Sequence, residues 1–361
     1  MVIMGTRPEA VKLAPVFLEL KKHDRITPVL VASAQHRDML DQVLSVFHLA
    51  PDFDLDVMID DQTLYHVTAE AVRRLEAVFQ AVTPDMVLVQ GDTTTSLAGA
   101  LAGFYEKTRI GHVEAGLRTG DKYAPFPEEI NRRLVSVLAD DHFAPTETNR
   151  QNLIREGVKP DTIIVTGNPV IDALLYTMEE DFASELLDSL AHCRVIMVTA
   201  HRRENFGEPI RSICEAIREM AAKDRDLHFL YPVHPNRYIR EPVYHILGGM
   251  QNVHLLPPLD YRSFVNYLGR SYLVLTDSGG IQEEAPSLNK PVLVLRNQTE
   301  RPEAVTAGAV KVIGTDRERI VTETLHLLNN PDVYGQMAGA PNPYGDGRAS
   351  ERIVRHILRR E

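Results

Sequence analysis

The sequence predicts an α/β protein built from two doubly wound domains that face each other. Three observations carry this. Short apolar runs alternate with amphipathic helical stretches along the whole chain. Chemically active residue types recur where the apolar runs end. The alternation loosens once, in an acidic helix-rich stretch after Pro169, and then restarts, so the 361 residues fall into two similar halves. The domain junction is placed there, giving 1–169 and 170–345.

In the first half, residues 2–4 read as the end of a strand leading through Gly5-Thr6-Arg7-Pro8-Glu9 into a helix. Pro8 suits a helix start. Arg7 and Lys12 put cations beside a helix N-terminus, which the helix dipole disfavours unless an anion binds there. A strand over 27–34 closes on Gln35-His36-Arg37, with a helix over 38–47. After a helix over 69–82, the strand 86–89 ends at Gln90-Gly91-Asp92-Thr93. The strand 110–113 ends at Glu114-Ala115-Gly116, and a polar loop to Pro127 precedes a helix opening with Glu128-Glu129. Strands over 140–144 and 163–166 follow, the latter closing on Gly167-Asn168-Pro169. Ligands of open parallel sheets bind at the carboxyl ends of strands, so Arg7, Gln35, Asp92 and Glu114 are expected to line one crevice.

In the second half, a strand over 195–199 runs into His201-Arg202-Arg203-Glu204-Asn205, one over 227–231 into Pro232-Val233-His234, and one over 253–256 into Pro257-Pro258-Leu259. The stretch LVLTDSGGIQEE, 273–284, reads as strand, glycine turn and helix, with the helix from Ile281. Gly279 and Gly280 let a ligand approach the backbone, while Ser278 and the free N–H groups of the first turn can hold phosphate. Glu283 and Glu284 add carboxylates suited to ribose hydroxyls. A capping serine with acidic first-turn residues would need no ligand and stands as the alternative. Strands over 292–295 and 309–313, a Pro/Gly turn cluster at 342–348 and a helix over 349–360 complete the chain. Thr6-Arg7-Pro8-Glu9 is echoed by Glu300-Arg301-Pro302-Glu303, too short a match to be a repeat.

Composition narrows the function. The net charge of -11 and the absence of a basic run interleaved with aromatics exclude a nucleic-acid surface. Cys193 and Cys214 lack CxxC spacing, so no disulfide framework or cysteine zinc site is expected. The histidines show no HxH or HExxH spacing, which speaks against a metal site, and no GxGxxG follows a strand, which speaks against a nicotinamide cofactor. No apolar run is long enough to cross a bilayer and no leader pattern is present, so a cytoplasmic location is expected.

Asp92, Glu114 and Glu128 place three carboxylates around one cleft, where different burial can divide them into proton donors and acceptors. Asp92 could instead cap the following helix, and Glu128 or Glu129 could simply be acidic first-turn residues. Glu114 resists a purely structural explanation best. His201, beside two arginines at a strand's carboxyl end, reads as a phosphate ligand or proton donor; His36 and His234 share its placement with weaker company.

The motifs GTRPEAVKLAP (5–15), AQHR (34–37), GDTTT (91–95), HVEAGLRTGD (112–121), PFPEEINR (125–132), GNPVIDAL (167–174), TAHRREN (199–205), TDSGGIQEEAPSLNKPVLVLR (276–296), TERPEAV (299–305) and NPYGDGRASERIV (342–354) resemble, in order, those of the bacterial non-hydrolysing UDP-N-acetylglucosamine 2-epimerases. The resemblance spans nearly the whole chain. It implies a glycosyltransferase B type fold of two Rossmann-like domains, with the last helix, 346–361, packing back on the first domain, and commonly a homodimer. It also implies an isomerase that needs neither metal nor cofactor and interconverts UDP-GlcNAc and UDP-ManNAc by anti elimination of UDP to 2-acetamidoglucal and re-addition, supplying ManNAc units for cell-surface polysaccharide.

Position by position, Asp92, Glu114 and Glu128 match the family's catalytic carboxylates and His201 its phosphate-binding histidine. Arg7 and Lys12 match substrate ligands, Ser278, Gly279 and Gly280 the diphosphate cradle, and Glu284 the ribose contact. Leu259 and Phe264 match the uracil site, and Arg301 a further ligand. Gln35, His36 and His234 match the site where many bacterial members hold a second UDP-GlcNAc as activator. Asp38 and Asp61 stand where those relatives carry Gln and Arg, and Asn297-Gln298 replaces a more usual Asp-Thr. The competing readings are a 2-epimerase of a related UDP-sugar such as a diacetamido-uronic acid, a hydrolysing epimerase that releases ManNAc, and a glycosyltransferase of the same fold.

Overall fold

The computed structural model describes residues 1–33, 37–59 and 62–360, with the side chains of 37–39 excluded. Gln35, His36 and Asp61 lie outside the described residues, as does the side chain of Asp38. The chain divides into two compact units, Met1–Tyr176 with Tyr344–Glu361, and Thr177–Pro343. The helix Pro169–Thr177 lies in the first unit up to Tyr176. It buries Val170, Ile171, Ala173 and Leu174 there, and the structure therefore places the division after Tyr176 and not at 169/170.

The first unit holds a seven-stranded sheet of β1 (Val2–Met4), β2 (Leu30–Ala32), β3 (Phe53–Asp54), β4 (Met86–Gln90), β5 (Arg109–Val113), β6 (Asp141–Ala144) and β7 (Ile163–Val165). Their order is β3-β2-β1-β4-β5-β6-β7 and every pairing is parallel. The second unit repeats the plan with β8 (Arg194–Thr199), β9 (Leu227–Pro232), β10 (Val253–Leu256), β11 (Leu273–Thr276), β12 (Val292–Val294) and β13 (Val310–Val312), ordered β10-β9-β8-β11-β12-β13 and again all parallel. These are doubly wound sheets, and the order reverses between β1 and β4 in one and between β8 and β11 in the other. Central strands buried on both faces read as unbroken apolar runs, such as Leu273–Thr276, which is why the sequence locates them. β3 is the strand the sequence misses, being two residues at a sheet edge without an apolar run.

Helices start where side chains satisfy their first N–H groups. Thr63 accepts from the N–H of His66, so the helix Leu64–Val82 begins a turn before the expected residue 69. Thr146 and Asn149 form a reciprocal capping box on Glu147–Arg155.

The helix Ala349–Arg359 packs on the first unit through Ile353, Val354 and Ile357. Both its ends are tied there. Asp172 accepts from the N–H groups of Ala349 (3.1 Å) and Ser350 (2.8 Å), and buried Asp141 meets His356 at 3.0 Å and Arg360 at 3.1 Å. Ahead of it, Asn168 N–H donates to the Tyr344 carbonyl, and Gly167 and Gly345 approach so closely that a Cβ on Gly167 would lie 3.2 Å from the Gly345 Cα. This explains two of the sequence motifs: GNPVIDAL and NPYGDGRAS are two sides of one junction.

Candidate active site

In the first unit, the loops after β1 and β4 meet at the point where the strand order reverses. Glu9, in the first turn of the helix Arg7–Leu20, is fully buried and stitches them together. Its carboxylate accepts from the Gly5 N–H (3.1 Å) and the hydroxyls of Thr6 (2.7 Å), Thr93 (2.8 Å) and Ser96 (3.0 Å). Burial nevertheless raises its pKa against those four donors.

Glu114 follows β5 with φ +63°, in the left-handed region, a conformation that costs a non-glycine residue about 1 kcal/mol or more. That backbone brings the carboxylate to Lys12 Nζ, 2.6 Å from both oxygens, and to Asn168 Nδ2 at 2.9 Å, while Gln90 Nε2 also donates to it. Beneath it, burial depresses the pKa of His112 to about 3, so the ring is neutral and its Nε2–H donates to the Gly91 carbonyl at 2.8 Å.

Asp92 does not cap the next helix. Thr93 does, accepting from the Ser96 N–H. The Asp92 carboxylate pairs with Arg132, and its carbonyl accepts from Asn131 Nδ2 at 2.9 Å. Burial raises the Asp92 pKa; Arg132 opposes that, Glu114 adds to it and Lys12 opposes again. Glu128 and Glu129 divide cleanly. Glu129 is fully buried and structural, accepting from the N–H groups of Thr119 (3.1 Å) and Gly120 (3.3 Å) and from Arg133. The side chain of Glu128, half-buried at the start of Glu128–Leu138, has no hydrogen bond or ion pair among the described residues, and neither has that of half-buried Arg7.

In the second unit, the loops after β8 and β11 meet in the same way. Asp277 is fully buried, and its Oδ2 accepts from the N–H groups of His201 (2.8 Å) and Arg202 (2.8 Å) and from Asn205 Nδ2 (2.9 Å). The following helix, Gly279–Ser287, starts two residues before the expected Ile281. Ser278 is its N-cap residue, but the hydroxyl makes no capping bond, so the purely structural explanation of that serine does not hold. A Cβ on Gly279 would lie 3.5 Å from Arg202 Nη2 and 3.8 Å from Arg301 Nη2, whereas one on Gly280 would meet nothing within 4 Å. Two guanidinium groups thus flank a helix N-terminus with open space beside it, an arrangement that binds phosphate.

Arg301 is held there by buried Glu283, while Glu284 is buried one position on. His201 is exposed and stacks on His234, ring centroids 5.5 Å apart; burial and then His201 lower the His234 pKa. Leu259 and Phe264 are both half-buried, in the loop after β10 and in the helix Tyr261–Arg270. Among the described residues no cluster of His, Cys, Asp or Glu could hold a metal ion, and no helix is long and apolar enough to cross a membrane.

The first unit therefore carries Arg7 and Lys12 on the helix after β1 and Asp92 and Glu114 just past the ends of β4 and β5, and the second gathers His201, His234, Ser278, Gly279, Gly280 and Arg301. Sequence reasoning passed over Gln90, Asn168 and Arg132, which contact the carboxylates, and Asp277. All four sit inside or beside the motifs already picked out, at strand ends or on the helix opened by Glu128, and position was the available signal.

The family model for UDP-N-acetylglucosamine 2-epimerase matches residues 18–358. The UDP-N-acetylglucosamine 2-epimerase of Bacillus subtilis is 52% identical over 99% of this chain and 94% of its own. A crystal structure from Listeria monocytogenes superposes with a TM-score of 0.95 at 50% identity, covering 100% of this chain and 95% of that one. That of the Neisseria meningitidis UDP-GlcNAc 2-epimerase, bound to UDP-GlcNAc, gives 0.89 at 48% identity over 99% of both. With this sequence identity along the full length and the same two-unit α/β fold, the chain belongs to the UDP-N-acetylglucosamine 2-epimerase family.

Proposed function

We propose that this protein epimerises UDP-GlcNAc to UDP-ManNAc at C2 by elimination and re-addition of UDP. The observation that carries the reading is the group of three carboxylates in unlike environments: Glu114 held by Lys12, Gln90 and Asn168, Asp92 paired with Arg132, and Glu128 without a side-chain partner among the described residues. In the forward half-reaction a carboxylate takes the C2 proton, the C1–C2 double bond forms, and the C1–O bond breaks with its electrons leaving on UDP. In the return half-reaction a second carboxylic acid delivers a proton to the opposite face of C2 and the UDP oxygen re-forms the bond to C1. A single fixed base cannot serve both faces, so more than one carboxylate is required.

The C2 hydrogen has no adjacent carbonyl, and the barrier falls chiefly through stabilising the departing diphosphate. Ser278, Gly279, Gly280, Arg301 and His201 of the second unit serve this, and Arg7 and Lys12 are the substrate ligands of the first unit. Glu284 holds the ribose, and Leu259 and Phe264 the uracil.

A homodimer fits a surface feature. Ile130, Leu134 and Val137 form an exposed apolar stripe on Glu128–Leu138, Phe104 and Tyr105 are exposed on the helix Thr94–Tyr105 packed against it, and Tyr65 on Leu64–Val82 packed against that one; a second copy would cover them. His234 remains a candidate for an activator site for a second UDP-GlcNAc, and a cytoplasmic setting suits the two free cysteines.

Incubation with UDP-GlcNAc in D2O, followed by NMR and mass spectrometry, tests the function. UDP-ManNAc carrying deuterium at C2 is expected. Accumulation of only free ManNAc and UDP would identify a hydrolysing enzyme, and an unchanged C2 would show that the substrate is a different sugar or the reaction a different one.

A further inference from the structure

Asp277 is tied to His201 twice, and only one tie is explained by holding the loop. Its Oδ2 is saturated by the N–H groups of His201 and Arg202 and by Asn205 Nδ2. Its Oδ1 is buried, has no hydrogen-bond partner among the described residues, and stands 3.7 Å from His201 Nδ1. A fully buried carboxylate oxygen left without a donor is costly. His201 Nδ1 could supply one: a shift of about 0.8 Å would bring it from 3.7 Å to ordinary hydrogen-bond length. The other face of that ring is set by His234, stacked at an interplanar angle of 11°.

We infer that Asp277 is a positioning residue for His201, fixing its neutral ring as the Nδ1–H tautomer and reserving Nε2 for the ligand. The inference rests on the assignment of His201 to the diphosphate of the leaving UDP. A carboxylate that orients an imidazole through one nitrogen determines what the other can do: with Nδ1–H donating to Asp277, only Nε2 takes up and hands over a proton at the phosphate. The geometry also explains why the histidine opens the loop. The same carboxylate pins its backbone N–H, so ring and main chain are located by one buried group whose placement is fixed by the end of β11.

The substitution Asp277→Asn separates this role from loop anchoring. The amide oxygen can keep the Oδ2 position, where three donors converge, and its NH2 then faces His201 Nδ1. That nitrogen becomes the acceptor, and the ring switches to the Nε2–H tautomer. The experiment is 15N NMR of histidine-labelled full-length protein at alkaline pH, with His201 assigned by comparison with His201→Asn, alongside kcat and KM for UDP-GlcNAc.

The expected result is Nδ1–H in the wild type, Nε2–H in Asp277→Asn, and a fall in kcat of about 10²–10⁴-fold with KM changed far less. An Nε2–H ring in the wild type, or the same tautomer in both proteins, would overturn the assignment whatever happens to the rate. The tautomer needs no substrate and is read in the wild type alone if the variant does not fold. A wild type that does not epimerise UDP-GlcNAc but holds the Nδ1–H ring would discard the proposed function and keep Asp277 in its role.

Discussion

Lys12 Nζ lies 2.6 Å from both carboxylate oxygens of Glu114, joining the first helix of the chain to the end of β5 across 102 residues. With Asn168 and Gln90 on the same carboxylate, Glu114 is held in a left-handed backbone conformation that a non-glycine residue adopts at a cost. Glu114→Gln keeps the shape and removes the base. Turnover is expected to fall by about 10²–10⁴-fold, with UDP affinity by calorimetry nearly unchanged. Unchanged turnover would remove Glu114 from the chemistry.

Gly279→Ala separates stability from binding. The added methyl would sit at ordinary contact distance, 3.5 Å from Arg202 Nη2, so nothing in the fold must move. Thermal stability is therefore expected to hold or rise slightly, while the methyl occupies the approach to the helix N-terminus. UDP binding should weaken by about tenfold or more, equivalent to the loss of one charge-assisted hydrogen bond. Equal affinity in the two proteins would place the diphosphate elsewhere.

Glu9 makes a pH prediction. Its folded-state pKa is raised by burial, so the folded protein binds the proton more tightly than the unfolded chain does. Stability from this group is therefore lost as pH rises from the unfolded carboxylate pKa through the raised folded value. Urea unfolding of Glu9→Gln, which carries no charge to bury, should lack that decline. The wild type would then lose ground against it as pH increases, and parallel curves for the two proteins would contradict the assignment.

Asp141 is fully buried and meets Arg109, His356 and Arg360, the last two at the end of Ala349–Arg359. Asp141→Ala leaves three cationic or polar partners without their anion. The cost should be roughly 3 kcal/mol, toward the low end for a broken buried pair because the partners reach solvent. Hydrogen exchange should show protection lost first over 349–359. Loss spread evenly through the first unit would contradict a local anchor.

The fold was legible because parallel strands buried on both faces leave apolar runs of the right length, and because turn residues close them. Val253–Leu256 and Leu273–Thr276 are found at the positions read from sequence. β3 was not readable, since two residues at an edge leave no pattern. Asp92, Glu114 and His201 were legible as polar residues at strand ends, where structure alone seldom requires them. What the sequence could not supply was the division of labour between neighbours. Glu128 and Glu129 are chemically identical in a string of letters, and only burial against the Thr119 and Gly120 amides marks Glu129 as the structural one. Gln90, Asn168, Arg132 and Asp277 were missed because their roles depend on distant partners, 24 to 76 residues away.

The junction of Asp172 and Gly167 with the last helix has a consequence for the order of synthesis. Residues 1–176 leave the ribosome before the second unit, yet the groups that Asp172 caps, two of the three partners of Asp141 and the apolar face of Ile353, Val354 and Ile357 arrive only after the whole second unit. Until then a nascent first unit carries Asp172 without two of its N–H donors, Asp141 with Arg109 alone of its three partners, and an uncovered surface, while the second unit, continuous from 177 to 343, can close on its own. Truncations that remove only the final helix should therefore cripple the domain that was translated first.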